Sequence, residues 1–171
     1  MKARELTLMA LLVALGTATA RFVWFSVGVA KATPVQHAIN VLAAVLLGPE
    51  RAVAVAFLIG LLRNLLGVGS LLAFPGGMVG AFLAGLLYRL TGRTWTAAAG
   101  ELIGTGLLGA LLAYPVAKYF LGASGAAFMF VFPFALSSAV GAALGLAVIS
   151  ALPAYLRQPG RNQAHQEPRQ S

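Results

Sequence analysis

The sequence predicts an all-α integral membrane protein, a bundle of six transmembrane helices with both termini in the cytoplasm. Of the 171 residues, 60% are hydrophobic and 9% are charged, whereas soluble domains carry about a quarter charged residues. Apolar runs recur from the N-terminus almost to Tyr155. Glycine, proline and charged clusters divide these runs at intervals that fit membrane-spanning helices.

The first predicted helix covers about residues 5–25, and a loop follows as far as Pro34. This apolar run is longer than the core of a signal peptide and no soluble chain follows it, so we interpret it as a retained span. Proline is favoured in the first turn of a helix. Pro34 therefore predicts a second helix over residues 35–47.

Gly48 and Pro49 separate the second helix from the third, because glycine caps a helix end and proline cannot continue the helix. The third helix restarts after residues 50–51 and ends near residues 67–69. These two helices have about 13 to 16 residues, whereas a span needs roughly 20. Four full spans with a re-entrant hairpin are therefore the alternative to six spans.

Three more helices are predicted in the C-terminal half. The fourth covers about residues 74–90, and a polar turn separates it from the fifth, at about residues 96–120; the sixth covers about residues 126–156. The stretch 157–171 has two prolines, many amides and no aliphatic run, the composition of a disordered segment. Residues 1–156 are thus expected to form one membrane domain, followed by a disordered cytoplasmic tail.

The distribution of basic residues predicts the orientation. Six spans, or four spans with a re-entrant hairpin, place both termini on one side of the membrane, because both span numbers are even. The positive-inside rule identifies that side as the cytoplasm. The basic residues on that face are Lys2, Arg4, Arg51, Arg89, Arg93, Arg157, Arg161 and Arg169. The opposite face carries Arg21, Lys31, Arg63 and Lys118. The net charge of +8 then reflects topology and anionic lipids, not nucleic-acid binding.

Enzyme and cofactor signals are missing from the sequence. The chain has no cysteine, which excludes disulfides and thiolate metal sites. It contains no P-loop, HExxH or GxSxG motif, and its two histidines are far apart. We therefore expect no enzymatic activity, no metal and no cofactor, and any uphill transport needs an energy source on another protein.

Polar residues inside the predicted spans are the candidates for a binding site. Gln36 and Asn40 are four residues apart and share one helix face, and Arg63 lies about 18 Å above Arg51 at the helical rise per residue. Two short helices thus direct polar ends toward one region in the outer half of the membrane. The candidate substrate-binding residues are Gln36, His37, Asn40, Arg63, Asn64, Glu101, Thr105 and Tyr114. Ser137 and Ser138 are the remaining polar residues of the spans.

A small-ligand cavity with apolar walls and a few converging polar groups is the functional interpretation of this cluster. The structural alternative is that these side chains bond neighbouring helices, or that Arg63 extends to the outer head groups. Glu101 lies about 10 Å above Thr94, so its depth differs from that of Arg63 by roughly 8 Å. An ion pair between these two residues in tilted helices therefore stays open.

The first helix carries a stripe of small residues, Ala10, Ala14 and Ala18. Small residues at this spacing let another helix approach closely. The same spacing recurs at Gly76 and Gly80, Gly100 and Gly104, and Gly141 and Gly145. Most of these stripes are expected to serve internal packing, and the first-helix stripe is a candidate for docking a partner.

Four sequence blocks carry a family resemblance. They are "PVQHAINVLAAVLLGP" (34–49), "RNLLGVGSLLAFPGG" (63–77), "GELIGTG" (100–106) and "AYPVAK" (113–118). In combination, over roughly residues 30–145, they resemble the substrate-binding S components of energy-coupling factor transporters, of the ThiW type.

The resemblance implies a six-helix S component in the cell membrane of a prokaryote that captures a thiamin precursor, hydroxyethylthiazole or its phosphate, from outside. It also implies partners, namely a transmembrane coupling subunit that docks on the face of Ala10, Ala14 and Ala18, and two ABC-type ATPases. Few of the aromatic residues around the ligand of thiamin-binding S components align here, so those binding residues are not carried over.

Two other interpretations stay open. A homo-oligomeric channel or transporter could use Arg63 as an anion filter in its pore, and it would show flux without any partner. A membrane-embedded enzyme could use His37 and Glu101, although the helix count places these two residues at opposite depths.

Overall fold

The computed structural model describes residues 3–27, 30–122, 127–153 and 156. Within these residues the chain is almost entirely helical, which confirms the predicted all-α class. The predicted tail 157–171 lies outside the described residues. The described part contains six helices: α1 (Ala3–Thr19), α2 (Pro34–Leu47), α3 (Pro49–Leu65), α4 (Ala73–Thr91), α5 (Thr94–Phe120) and α6 (Val131–Ala151). It also contains a 3-10 turn (Ala127–Phe130) and two short strands, β1 (Phe25–Val27) and β2 (Ala30–Ala32).

Three helical stretches are long and apolar enough to cross a membrane, namely α4, α5 and Phe128–Ala151. The other helices are shorter, with 17 residues in α1, 14 in α2 and 17 in α3. Among these, α2 is enclosed by α3, α4 and α6, and most of its residues are buried. A helix surrounded by protein does not have to match the thickness of the lipid.

The first helix ends earlier than predicted. It stops at Thr19, and Phe25–Val27 pairs in antiparallel fashion with Ala30–Ala32, so that Phe25 lies opposite Ala32 and Val27 opposite Ala30. The predicted helix over residues 5–25 was therefore wrong at its C-terminal end. Its last residues, "FVWF" (22–25), are aromatic or β-branched, and such residues suit an extended strand as well as an apolar helix.

The glycine pairs of α4 and α5 bring these two helices into backbone contact. A Cβ added at Gly104 would lie 2.7 Å from the Cα of Gly80, and one added at Gly100 would lie 2.6 Å from the carbonyl oxygen of Leu83. These distances are shorter than any tolerated Cβ contact, so both positions need glycine. On α6, a Cβ at Gly145 would lie 2.9 Å from the Ala38 carbonyl oxygen of α2. These stripes therefore serve internal packing.

The α1 stripe has a different environment. The opposite face of this helix buries Met9, Leu12, Val13 and Gly16 against α2 and α3. Ala10, Ala14 and Ala18 lie on the exposed side. An ion pair of 3.1 Å between the Glu5 carboxylate and the Arg51 guanidinium joins the start of α1 to the start of α3.

A π-helical segment, Gly104–Gly109, interrupts the α-helical geometry of α5. Three of its six residues are glycines, which lowers the cost of a wider turn in this close-packed segment. The sequence predicted an uninterrupted helix here. Segments of this kind are frequent at functional sites, and Thr105 lies within this one.

Candidate functional site

A cavity of about 240 Å³ lies at the end of the bundle where α2, α4 and α6 begin and α3 ends. Drug-sized ligands occupy pockets of roughly 300 to 1,000 Å³, so this cavity suits a smaller molecule. Apolar groups of Leu72, Pro133 and Phe134 form part of its wall. Its polar wall includes four of the predicted residues, Gln36, His37, Arg63 and Thr105.

Arg63 reaches the cavity from the last turn of α3 and is 4% exposed. Its Nη1 donates to the side-chain oxygen of Gln36, and also to Thr33 Oγ1 at 3.3 Å. Within the described residues its Nε–H has no acceptor. The ion pair with Glu101 that the sequence left open is not formed, because Glu101 is bound by other side chains.

Glu101 lies fully buried in α5, next to the cavity. Its Oε1 is 2.7 Å from Nδ1 of His37, and it is 3.2 Å from Nδ2 of Asn40 and 2.8 Å from Oγ1 of Thr105. Asn40 and Thr105 also reach the backbone carbonyls of Gly77 and Gly76, at 3.1 and 3.0 Å. This network joins α2, α4 and α5, and buried polar groups require such partners.

The direct contact between His37 and Glu101 corrects one expectation. The helix count along the sequence predicted opposite depths for these two residues, and that prediction was wrong. Counting the rise per residue along separate helices assumes that the helices are parallel and begin at one level, and neither condition follows from the sequence. Their contact makes Glu101 a positioning group for the imidazole.

The two ring nitrogens of His37 differ in their hydrogen bonding. Its Nδ1 bonds Glu101, and within the described residues no protein group bonds its Nε2, although the side chain lines the cavity. A carboxylate on one imidazole nitrogen fixes the ring orientation and the tautomer. When Nδ1–H donates to the Glu101 carboxylate, a neutral His37 presents Nε2 as a hydrogen-bond acceptor to a ligand.

Four predicted site residues do not line the cavity, and the first of them is Glu101, whose network is described above. Asn40 lies behind the cavity, in the Glu101 network. Asn64 uses its side-chain amide to bond the Gly60 and Ser70 carbonyls, at 2.8 and 3.3 Å, and so connects the loop after α3 to that helix. Tyr114 lies farther along α5, where its ring centroid is 6.0 Å from Nζ of Lys118.

Other residues of the cavity wall were missed at the level of sequence. Thr33, Ser70 and Ser137 contribute hydroxyl groups, and the Thr33 N–H donates to Ser137 Oγ at 3.0 Å. Ser137 had a signal, because it is a polar residue inside an apolar helix. Thr33 and Ser70 look like ordinary helix-boundary and loop residues, and nothing distinguishes Phe134 from the other aromatic residues of the chain.

The groups around this cavity are of the kinds found in small-ligand sites. Apolar contact combines with hydroxyl, amide, imidazole and guanidinium groups, and such a combination can hold a small polar molecule. Within the part of the chain that the structure describes, no three carboxylate or histidine side chains converge as metal ligands.

Comparison with known proteins identifies one family. A family model described as "Thiamine-precursor transporter protein (ThiW)" matches residues 6–155. No curated protein and no solved structure matches the chain.

Proposed function

Since the chain belongs to the ThiW family of thiamine-precursor transporter proteins, we propose that it is the substrate-capture subunit of an energy-coupling factor importer. The proposed ligand is hydroxyethylthiazole or its phosphate. The observation that carries this proposal is the small cavity of mixed polarity at one end of a membrane-type helical bundle. The family match supports transport of a thiamine precursor across a membrane.

The proposed orientation is six spans with both termini in the cytoplasm and the cavity open to the outside. The cavity lies at the end of α3 that carries Arg63. Arg51 in the first turn of α3, Arg89 in the last turn of α4 and Arg93 before α5 lie toward the other end. A concentration of basic residues at one end favours the cytoplasmic side. The proposed membrane is the plasma membrane of a prokaryote, as the resemblance to S components implies.

The cavity fits the proposed ligand in size and chemistry. A thiazole ring is a small flat heteroaromatic group, which Phe134 and Pro133 can contact. The hydroxyl of the hydroxyethyl group can donate to Nε2 of His37. Burial of the ligand would supply the affinity, and a few hydrogen bonds would select this ligand over others.

The proposed energy source is a pair of ABC-type ATPases that act through a transmembrane coupling subunit. The chain carries no nucleotide-binding motif, and α1 offers the exposed face of Ala10, Ala14 and Ala18 as a docking surface. Small side chains permit close helix contact inside a membrane.

His37→Ala is expected to weaken the binding of hydroxyethylthiazole about tenfold or more, because the ligand loses a hydrogen bond and Glu101 loses a buried partner. Calorimetric titration of the detergent-solubilised protein measures this loss. Tyr114→Phe, outside the cavity, is the control and should bind as the unmodified protein does. If hydroxyethylthiazole, its phosphate and thiamin all fail to bind the folded protein, the proposed function is wrong.

Ala14→Leu is expected to prevent assembly with the coupling subunit while leaving thiazole affinity unchanged. The larger side chain would separate α1 from the helix that docks on it. Co-purification with the coupling subunit and the ATPases measures assembly, and Ala143→Leu on the exposed side of α6 is the matched control. Thiazole or anion flux into liposomes that contain this protein alone would instead support a channel.

A further inference from the structure

Arg63 is a buried cation, and among the described residues no acidic side chain pairs with it. The chain has four acidic residues, and the described part contains Glu5, Glu50 and Glu101. Glu5 pairs with Arg51, and Glu50 pairs with Arg89 at 2.9 Å, both away from the cavity. Glu101 is bound by His37, Asn40 and Thr105. Within the described residues, the guanidinium therefore contacts neutral oxygens alone, an arrangement that is costly in a membrane protein unless a ligand supplies the negative charge.

Stabilising the C-terminus of α3 does not account for this cation. The carbonyls of Leu62, Arg63 and Asn64 in the last turn of α3 already accept backbone N–H groups from the residues that follow. The carbonyl of Arg63 accepts the N–H groups of Val68 and Gly69, both at 2.9 Å, and the carbonyl of Asn64 accepts the N–H of Gly67 at 3.0 Å. Gly67 adopts a left-handed conformation, with φ of 69°, that makes this loop geometry possible.

The hydrogen bonding of the guanidinium is incomplete. Nη1 is the atom that bonds Gln36 and Thr33, whereas Nε–H has no acceptor among the described residues. Arginine binds phosphate and carboxylate groups with two parallel N–H donors. A small movement of a 4% exposed side chain that already lines the cavity would bring such an anion within reach.

Two hydroxyl groups beside Arg63 have protons available for a ligand. Thr33 Oγ1 accepts from Arg63, and Ser137 Oγ accepts from the Thr33 backbone N–H. Each hydroxyl thus uses its oxygen as an acceptor within the protein and can direct its proton into the cavity. Together with the guanidinium they provide at least three donors around one region of the cavity wall.

The helix geometry adds a positive field at the same place. α2 and α4 both begin at the cavity, where Thr33 and Ala73 line the wall. Both N-termini lie in the described part of the chain, and no side-chain hydrogen bond caps either of them. The N-terminus of a helix carries a partial positive charge and attracts anions.

We propose that the cavity binds its ligand as an oxyanion, with a phosphate monoester held by Arg63, Thr33 and Ser137. The heteroaromatic half of the ligand then lies toward His37 and Phe134. This inference rests on the proposed function and makes it more specific, because it selects the phosphorylated thiazole over the neutral alcohol as the preferred ligand.

Titration of the detergent-solubilised full chain with hydroxyethylthiazole phosphate, hydroxyethylthiazole and inorganic phosphate tests the inference. We expect the phosphate ester to bind at least about tenfold more tightly than the alcohol, the effect of gaining charge-assisted hydrogen bonds. Arg63→Gln should remove most of that preference, because glutamine keeps polarity without charge and cannot donate charge-assisted hydrogen bonds to the ester. Arg63→Lys should restore part of it, because lysine keeps the charge but not the planar donor pair.

Equal affinity for ester and alcohol in the unmodified protein would overturn the inference, and so would an Arg63→Gln variant that weakens both ligands equally. The comparison of ester with alcohol in the unmodified protein decides the matter even if the Arg63→Gln variant does not fold. If neither thiazole binds but inorganic phosphate binds through Arg63, the anion site stands and the thiazole assignment falls.

Discussion

Glu101→Ala is expected to lower the free energy of unfolding by about 3 kcal/mol or more, because each buried polar group left without its partner costs about 1 to 3 kcal/mol. His37, Asn40 and Thr105 would all lose their shared acceptor. Because these side chains join α2 and α5, the substitution also loosens the wall that positions the imidazole. We therefore expect ligand binding to be lost together with stability.

Thermal unfolding in detergent, followed by the fluorescence of Trp24 and Trp95, measures the effect on stability, and calorimetric titration measures the effect on binding. Glu101→Gln is the matched control, because it keeps the shape and one acceptor oxygen and should cost less than the alanine variant. An alanine variant that melts at the temperature of the unmodified protein would show that the network contributes no stability. An unchanged affinity in that variant would show that Glu101 does not position His37.

Gly104→Val is the substitution with the second large expected effect. Its Cβ alone would lie 2.7 Å from the Cα of Gly80 and 2.9 Å from the carbonyl oxygen of Val79. Backbone atoms in a packed helix cannot move aside as a flexible side chain can. Overpacking typically costs about 1 to 3 kcal/mol, and we expect this variant to reach or exceed the upper value.

The Gly104→Val variant should also lose ligand binding, because displacing α5 from α4 moves Thr105 away from the carbonyl of Gly76. Unfolding temperature and thiazole affinity are the two measurements. Ala143→Val adds a β-branched side chain to the exposed side of α6 and controls for helix propensity alone. If both variants unfold at the same temperature, close contact between α4 and α5 is not what stabilises the bundle.

Most helix boundaries were predictable because they depend on local chemistry. The predicted helices over residues 35–47, 74–90 and 96–120 match the observed α2, α4 and α5 within about two residues at each end. Proline and glycine act on the backbone of their own turn, so their effect can be read without knowledge of the fold. The end of α1 was mispredicted because the apolar residues after Thr19 suit a strand as well as a helix.

The candidate site was predictable in its membership more than in its geometry. Gln36, His37, Asn40, Arg63, Glu101 and Thr105 are all buried, as expected of polar residues in apolar helices. Asn64 and Tyr114 carried the same signal, but their side chains bond the loop after α3 or lie near Lys118. A polar residue inside an apolar run needs a hydrogen-bonding partner. The sequence does not show whether that partner is a ligand, a loop or another helix.

The sequence by itself determined that the protein is a helical membrane protein and which polar residues its spans contain, because composition, periodicity and backbone restriction act over a few residues. The tertiary structure alone decided that Glu101 pairs with His37 and not with Arg63. That choice depends on how α2, α3, α4 and α5 are tilted, at what level they lie and how closely they approach one another. Glycine contacts between distant parts of the chain set this arrangement. Because of that packing, Arg63 lies in the cavity wall without an acidic partner among the residues that the structure describes.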